Sequence, residues 1–261
     1  MIKCGVKELW DNGQPVLNGW LSVGNSLTAE IMAAQGYDSI TVDMQHGIID
    51  YGTAITMLQA IRASGVTPIV RVPWLDPATI MQALDTGAYG IICPMVNTRE
   101  QAEQLVSYCR YPPHGTRSFG PTRAIFSAGS DYASQANSEV FCLAMIETAE
   151  AVSNLEEIAA TPGLDGLYIG PADLTISVTD GRLPPGFDRQ EEEMLAVIDK
   201  IRKAAQSAGI RACLHCGSSE YAANALAQGF NLTTLLNDVR LLAAAAAASV
   251  SDTRARLTDL S

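Results

Sequence analysis

The sequence predicts a single (β/α)8 barrel that spans residues 1–261, because of how its apolar residues are arranged. Short apolar runs alternate with longer segments of helical period along almost the whole chain, which makes eight strand–helix units in one series. The runs are continuously apolar, as parallel strands covered on both faces are. Eight such units in about 250 residues are typical of this α/β barrel.

The predicted strands are short, apolar and bounded by polar or glycine-containing segments. They are Pro15–Val23, Ser39–Val42, Pro68–Val72, Gly90–Pro94, Phe141–Ile146, Gly166–Ile169, Arg211–His215 and Asn231–Leu235.

The predicted helices lie between these strands, and most of them stop at a glycine, the usual residue just beyond a helix end. They are Leu27–Gln35, Thr53–Ala63, Pro77–Thr86, Arg99–Cys109, Ala149–Ala160, Gln190–Ala208, Ser219–Gln228 and Asp238–Val250. Two segments are predicted to be loops. The longer one, Tyr111–Asn137, is of the length that usually forms a lid or a binding loop, and the other is Thr179–Phe187.

The main rival to the barrel is an open, doubly wound sheet. No Gly-x-Gly-x-x-Gly turn follows any predicted strand, and no phosphate-binding Gly-x-x-x-x-Gly-Lys-Ser/Thr loop is present. The barrel is therefore favoured, and no nucleotide cofactor is predicted.

Charge and hydropathy restrict the partners of the chain. It carries 28 acidic against 17 basic residues, a formal net charge of −11, which argues against binding to nucleic acid or to an anionic membrane. No run approaches the ~20 apolar residues of a membrane span. The first residues lack the apolar stretch of a signal peptide. We therefore expect a cytoplasmic protein.

The six cysteines lie mostly in apolar, strand-like segments, which favours buried thiols over a disulfide framework. Cys213 and Cys216 have the C-x-x-C spacing of redox and zinc sites. In a strand, however, their side chains point to opposite faces, and no second Cys/His pair lies nearby in sequence. Core packing is the favoured interpretation, and a zinc or redox module is the weakest alternative.

Charged residues follow four of the predicted strands, at the end where barrels of this type place their active sites. Glu147 and Asp173 follow neighbouring strands, so the two carboxylates can share one cation such as Mg²⁺ or Mn²⁺. The alternative is that each carboxylate caps the helix that follows it.

A histidine follows a third strand, and an arginine lies at the end of a fourth. His46 is a candidate general base, with Asp43 or Asp85 as the carboxylate that orients its ring. Arg71 is either an ion-pair partner of one of these carboxylates or the group that stabilises an enolate oxygen. The other two histidines, His114 and His215, are assigned no function.

The chain lacks the residues that two other mechanisms need. Its four lysines all lie away from the strand ends, which excludes a Schiff-base aldolase. No Gly-x-Ser-x-Gly elbow is present, which disfavours a serine hydrolase.

Four motifs resemble the HpcH/HpaI aldolase family in order and spacing, over nearly the whole chain from Gly19-Trp20 onwards. They are Asp43-Met44-Gln45-His46-Gly47, Arg71-Val72-Pro73, Glu147-Thr148 and Gly170-Pro171-Ala172-Asp173-Leu174. The resemblance implies a (β/α)8 barrel that assembles as a homohexamer of dimers with an exchanged C-terminal helix. It also implies metal-dependent cleavage or formation of 4-hydroxy-2-oxo acids, through an enolate of pyruvate or of a close analogue such as hydroxypyruvate.

The resemblance also implies roles for single residues. Glu147 and Asp173 would bind Mg²⁺, Mn²⁺ or Co²⁺, His46 would be the base, Asp85 would raise its basicity, and Arg71 would stabilise the transition state. The remaining predicted site residues are Asp43 as a catalytic group and, for substrate binding, Trp20, Gly170, Pro171 and Ala172. Gln45 and Met145 depart from the pattern of the family's best-known members, in which a Glu and a substrate-contacting Gln are common at these positions.

Three alternative functions stay open from the sequence. A lyase of the citramalyl- or malyl-CoA type would need a basic entrance, for which the predicted loops offer Arg117, Arg123 and Arg182. Decarboxylation of oxaloacetate could use the same enolate. A catalytically silent ligand-binding barrel is the third.

Overall fold

Eight parallel strands close into one barrel in the computed structural model, which describes residues 1–259. All eight predicted strands are confirmed, with ends that differ by one or two residues at most. They are β1 (Val16–Leu21), β2 (Ser39–Asp43), β3 (Thr67–Arg71), β4 (Gly90–Cys93), β5 (Phe141–Ile146), β6 (Gly166–Ile169), β7 (Arg211–Cys216) and β8 (Leu232–Leu235).

The strands pair in sequence order, and β1 closes the barrel against β8. The register places Asp43 of β2 beside Arg71 of β3, and Met145 of β5 beside Tyr168 of β6. Because all strands are parallel, the residues that follow them meet at one end of the barrel.

Helices precede, connect and follow the strands. They are α1 (Gly5–Asp11), α2 (Ser26–Ala33), α3 (Tyr51–Ala63), α4 (Pro77–Asp85), α5 (Arg99–Cys109), α6 (Ala124–Ala128), α7 (Tyr132–Glu139), α8 (Ala149–Ser153), α9 (Leu155–Ala159), α10 (Pro171–Val178), α11 (Glu192–Ser207), α12 (Ser219–Ala227) and α13 (Asp238–Asp259).

Three expectations about the helices were wrong. The segment Tyr111–Asn137 is not a continuous loop, because it contains α6 and most of α7. The helix predicted over Ala149–Ala160 is split at Asn154, whose side-chain amide donates to the carbonyl of Asn97. The sequence reading also missed α1 and α10, which are only seven and eight residues long.

The core has two parts, one inside the barrel and one between the strands and the surrounding helices. The inner part includes Trp10 of α1, whose ring meets Phe141 edge-on at 5.2 Å, so this helix plugs the amino-terminal end of the barrel. Cys213 belongs to the inner part and Cys216 to the outer part, as their opposite orientation in a strand predicts. All six cysteines are free and buried.

The carboxyl-terminal helix α13 is attached to the barrel mainly at its first turn. The Asp238 carboxylate accepts hydrogen bonds from the backbone N–H groups of Ser22 and Val23, just after β1. Asp238 is the buried residue of this helix, whereas Leu242, Val250 and Leu257 are all more than half exposed. Within residues 1–259, no helix has the length and apolar character needed to cross a bilayer.

Substitution of Gly90 in β4 tests the packing inside the barrel. A Cβ atom at this position would lie 2.3 Å from Cζ of Phe141, which is fully buried. We expect Gly90→Ala to lower the free energy of unfolding in urea by about 1–3 kcal/mol, as overpacked cores do.

Gly52→Ala is the matched control for this substitution. Gly52 lies in α3, and its nearest new contact would be Asp50 Oδ1 at 3.6 Å, so an alanine there has space. We expect it to raise the free energy of unfolding by up to about 1 kcal/mol. Equal effects of the two substitutions would contradict the packing described here.

Candidate active site

A cavity of about 590 Å³ opens at the carboxyl-terminal end of the strands. It collects most of the predicted site residues and several others. The predicted residues that line it are Trp20, Asp43, His46, Arg71, Glu147, Gly170, Ala172 and Asp173. Among the predicted residues, Pro171 and Asp85 do not line this cavity.

A buried ion pair between Asp43 and Arg71 forms one wall of the cavity. Arg71 Nε donates to Asp43 Oδ1 at 2.8 Å, and Arg71 Nη2 donates to Oδ2 at 2.6 Å. Trp20 Nε1 adds a third hydrogen bond at 3.2 Å, and the Arg71 guanidinium stacks over the Trp20 ring at 4.8 Å. Burial alone would raise the pKa of Asp43, but Arg71 outweighs it and holds this pKa below its usual value. Asp43 is therefore an ionised anchor rather than a proton acceptor.

His46 lies in the turn that follows β2. The backbone N–H groups of Gln45 and His46 donate to Asp43 Oδ1 at 3.1 and 3.2 Å. The carboxylate that pairs with Arg71 therefore also fixes this turn. The His46 ring is exposed, lines the cavity, and makes no hydrogen bond to any residue in the range 1–259. Its nitrogen atoms are free to contact a substrate.

Glu147 comes directly after β5 and is only 2% exposed. Its Oε1 accepts a hydrogen bond at 2.8 Å from the backbone N–H of Met95, a residue in the left-handed conformation with φ of 56°. Burial is the main cause that raises the pKa of Glu147 to about 7; the negative charge of Asp173 adds to this, and the Met95 N–H opposes it. A nearby cation would relieve the cost of ionising this carboxylate.

Gly170 gives Glu147 the space it occupies. A Cβ atom at residue 170 would lie 2.6 Å from Glu147 Oε2 and 2.9 Å from Cε of Met145. Gly170 precedes α10, which begins at the buried Pro171 and carries Ala172 and Asp173 in its first turn. In the sequence Gly-Pro-x-Asp, the glycine thus lets the backbone lie close to the Glu147 carboxylate, and the aspartate lies in the first turn of a helix.

Glu147 and Asp173 fit a hard divalent cation. Both carboxylates line the same cavity, and the negative charge of Asp173 contributes to the raised pKa of Glu147, a cost that a cation between them would remove. Within residues 1–259 no group of three or more His, Cys, Asp or Glu side chains is arranged to hold a metal ion. A site with two carboxylates suits Mg²⁺ or Mn²⁺, which retain water or substrate oxygen at their other positions.

Asp85 makes no hydrogen bond or ion pair with His46 among residues 1–259, and it does not line the cavity. Its Oδ1 accepts a hydrogen bond at 2.7 Å from Nη2 of Arg117, a buried cation that stacks on Tyr111 at 4.4 Å and donates to Tyr132. Burial raises the pKa of Asp85, and Arg117 opposes this. Asp85 therefore holds the segment 111–137 against α4, and no contact among the described residues supports an effect on the basicity of His46.

The sequence reading missed several residues that line the cavity. The most polar of them are His215, Asn237 and Arg240, and Phe187 packs between two of these. The His215 ring stacks on Phe187 at 4.7 Å, and the Arg240 guanidinium covers Phe187 at 4.9 Å. Burial is the main cause that lowers the pKa of His215 to about 3, so this imidazole is neutral. His215 could have been found, since it also lies at the carboxyl-terminal end of a predicted strand.

The basic entrance that a CoA ester would need is not formed by the predicted arginines. Arg117 is buried against Asp85, Arg123 donates to the carbonyl of Thr86, and Arg182 pairs with Glu193. None of the three lines the cavity.

The space at Gly170 gives a direct test of the metal site. We expect Gly170→Ala to displace the Glu147 carboxylate and to weaken Mn²⁺ binding about 10- to 100-fold, as changes next to metal ligands do. Calorimetric titration with MnCl₂ measures this affinity. Gly120→Ala is the control, because its new Cβ would have its nearest contact at 3.8 Å, with Asp85 outside the cavity. Equal Mn²⁺ affinities for both variants would argue against Glu147 as a ligand.

Comparisons with known proteins identify the family of this chain. Residues 18–245 match the family described as HpcH/HpaI aldolase/citrate lyase. The hydroxypyruvate/pyruvate aldolase of Rhizorhabdus wittichii strain RW1 is 44% identical over 250 residues, which cover 96% of this chain and 98% of that protein. The 4-hydroxy-2-oxo-heptane-1,7-dioate aldolase of Salmonella dublin is 36% identical over 93% of this chain and 94% of that protein.

A crystal structure of an HpcH/HpaI aldolase/citrate lyase family protein from Burkholderia cenocepacia J2315 has the same fold. It superposes with a TM-score of 0.87 at 31% identity and covers 95% of this chain and 98% of that one. The prediction of an aldolase, a carbon–carbon lyase, is confirmed by the named relatives. The chain belongs to the HpcH/HpaI aldolase/citrate lyase family.

Proposed function

We propose that this aldolase cleaves and forms 4-hydroxy-2-oxo acids, with pyruvate or hydroxypyruvate as one product and an aldehyde as the other. The relatives from Rhizorhabdus wittichii and Salmonella dublin are named for such reactions. The observation that carries the proposal is that one cavity brings together His46, Arg71 and the two carboxylates Glu147 and Asp173.

Glu147 and Asp173 are the proposed metal ligands, and Mg²⁺, Mn²⁺ and Co²⁺ are the proposed ions. When bound, such a cation supplies Lewis-acid chemistry at the 2-oxo group of the substrate. Ala172 supports substrate binding from the same side, because the N–H groups in the first turn of α10 have no partner within the helix and suit a carboxylate.

His46 is the proposed base. In the direction of cleavage, a free ring nitrogen of His46 accepts the proton of the 4-hydroxyl group while the bond between C3 and C4 breaks. The aldehyde leaves, and the electron pair of that bond forms the enolate of the oxo acid. The enolate then takes a proton at C3. Condensation runs through the same steps in reverse.

Arg71 is the proposed stabiliser of negative charge in the transition state. Asp43 binds its Nε and Nη2 atoms, whereas Nη1 makes no hydrogen bond within residues 1–259. The pairing orients the guanidinium rigidly, so that Nη1 can donate to the enolate oxygen without reorganisation during the reaction. The Trp20 ring covers one face of the same guanidinium at 4.8 Å and so restricts its movement.

The assembly is proposed from the same family membership. We infer a homohexamer in which dimers exchange α13, and a cytoplasmic location. The exposed leucine and valine side chains along α13 support the exchange, because a helix of this kind gains stability by packing against a partner.

A CoA-thioester lyase is not favoured. Arg117, Arg123 and Arg182, the arginines predicted to recognise CoA, all have partners elsewhere in the chain, and the two relatives named above are aldolases.

Exchange of the methyl protons of pyruvate in D₂O tests the proposed chemistry without knowledge of the aldehyde. NMR should show exchange with Mg²⁺ or Mn²⁺, and loss of exchange with EDTA or in His46→Ala, since enolisation needs both the cation and the base. His114→Ala is the matched control, because this histidine is also exposed but lies outside the cavity. We expect it to retain exchange.

Two results would contradict the proposal. Absence of exchange under every condition would exclude pyruvate enolisation by this chain. Exchange that persists in His46→Ala at the rate of His114→Ala would remove His46 as the base.

A further inference from the structure

One charged group in the cavity has no part in the proposed reaction. Arg240 lies in the first turn of α13, and its guanidinium covers the Phe187 ring at 4.9 Å. It lines the same cavity as His46 and Glu147. Its backbone N–H is capped by Asn237 Oδ1 at 2.9 Å, which fixes the start of the helix that carries it.

Each of the other charged side chains that line the cavity has, or suits, a partner of opposite charge. Asp43 neutralises Arg71 through a bidentate ion pair, and Glu147 with Asp173 suit a divalent cation. Arg240 makes no ion pair and no side-chain hydrogen bond to any residue within the range 1–259. It is therefore the unbalanced positive charge of the cavity.

The position of Arg240 separates it from the proposed metal ligands. Glu147 follows β5, whereas Arg240 follows β8, three strands further around the barrel. The Phe187 ring contacts both the Arg240 guanidinium and the His215 imidazole, and all three side chains line the cavity. A substrate with its 2-oxo end at Glu147 would extend its other end across the cavity.

We propose that Arg240 binds an anionic group at the far end of the aldehyde substrate, and so favours aldehydes that carry a distal carboxylate or phosphate. This inference rests on the proposed aldolase function. A guanidinium presents a planar set of N–H donors that suits both kinds of anion. Its stacking on Phe187 restricts the side chain before the substrate arrives.

The test compares matched aldehydes in condensation with pyruvate. Succinic semialdehyde and butanal form the carboxylate pair, and glyceraldehyde 3-phosphate and glyceraldehyde form the phosphate pair. The measured quantity is the ratio of kcat/KM for the anionic aldehyde to kcat/KM for its neutral counterpart. Arg240→Gln should lower this ratio about tenfold, the effect of one charge-assisted hydrogen bond. Arg240→Lys should restore part of it.

Arg182→Gln is the control, because Arg182 is an exposed arginine outside the cavity that pairs with Glu193. We expect its ratios to equal those of the unmodified chain. Added NaCl should raise KM for the anionic aldehydes in the unmodified chain and have less effect in Arg240→Gln. A purely structural role of Arg240 would not produce this difference.

The two aldehyde pairs show whether Arg240 recognises a carboxylate, a phosphate or both. A lower ratio in one pair assigns that group to Arg240, and a lower ratio in both pairs assigns a general anion site. Unchanged ratios in both pairs would overturn the inference.

Binding of succinate by calorimetry, in EDTA, gives a readout that needs no turnover. Binding about tenfold weaker in Arg240→Gln supports the site; equal binding contradicts a carboxylate site and, together with an unchanged ratio in the phosphate pair, overturns the inference. If the unmodified chain condenses no aldehyde with pyruvate, the proposed function fails, while the succinate titration still decides the role of Arg240.

Discussion

The ion pair between Asp43 and Arg71 is the constraint on which the geometry of the cavity depends. The Asp43 side chain is 2% exposed and that of Arg71 is 12% exposed, so an unpaired charge on either would be costly. The parallel register of β2 and β3 places the two residues side by side, and Trp20 completes the pairing. Since Asp43 also binds the backbone of the turn at His46, one carboxylate positions both the proposed base and the proposed stabiliser.

The sequence was sufficient to predict the barrel and the polar residues at or just after the ends of β2, β3, β5 and β6, which line one cavity. Continuous apolar runs mark buried parallel strands, and a charged residue directly after such a run is easily recognised. His215 was assigned no function and Arg240 was overlooked, for different reasons. His215 is the inward-facing residue of an apolar strand that gave no charge signal, and Arg240 follows β8 at the start of a helix that looked purely structural.

Other differences arise from contacts between distant segments. The partner of Asp85 is Arg117, and this choice depends on how the segment 111–137 folds back over α4. The break at Asn154 depends likewise on the carbonyl of Asn97, 57 residues earlier in the chain. Local propensity carries no information about such pairings, so periodicity favoured one long helix where the structure has two.

The closure of the barrel links the two ends of the chain. β1 lies between β2 and β8, and the indole of Trp10 donates to the carbonyl of Asn231, 221 residues later. Packing of α1 against the end of the barrel and pairing of β1 with β8 therefore require nearly the whole polypeptide. During synthesis, the edges of β1 and of the growing sheet stay unpaired until β8 has left the ribosome. Closing so long a loop is slow, and exposed strand edges in that interval favour association with other chains.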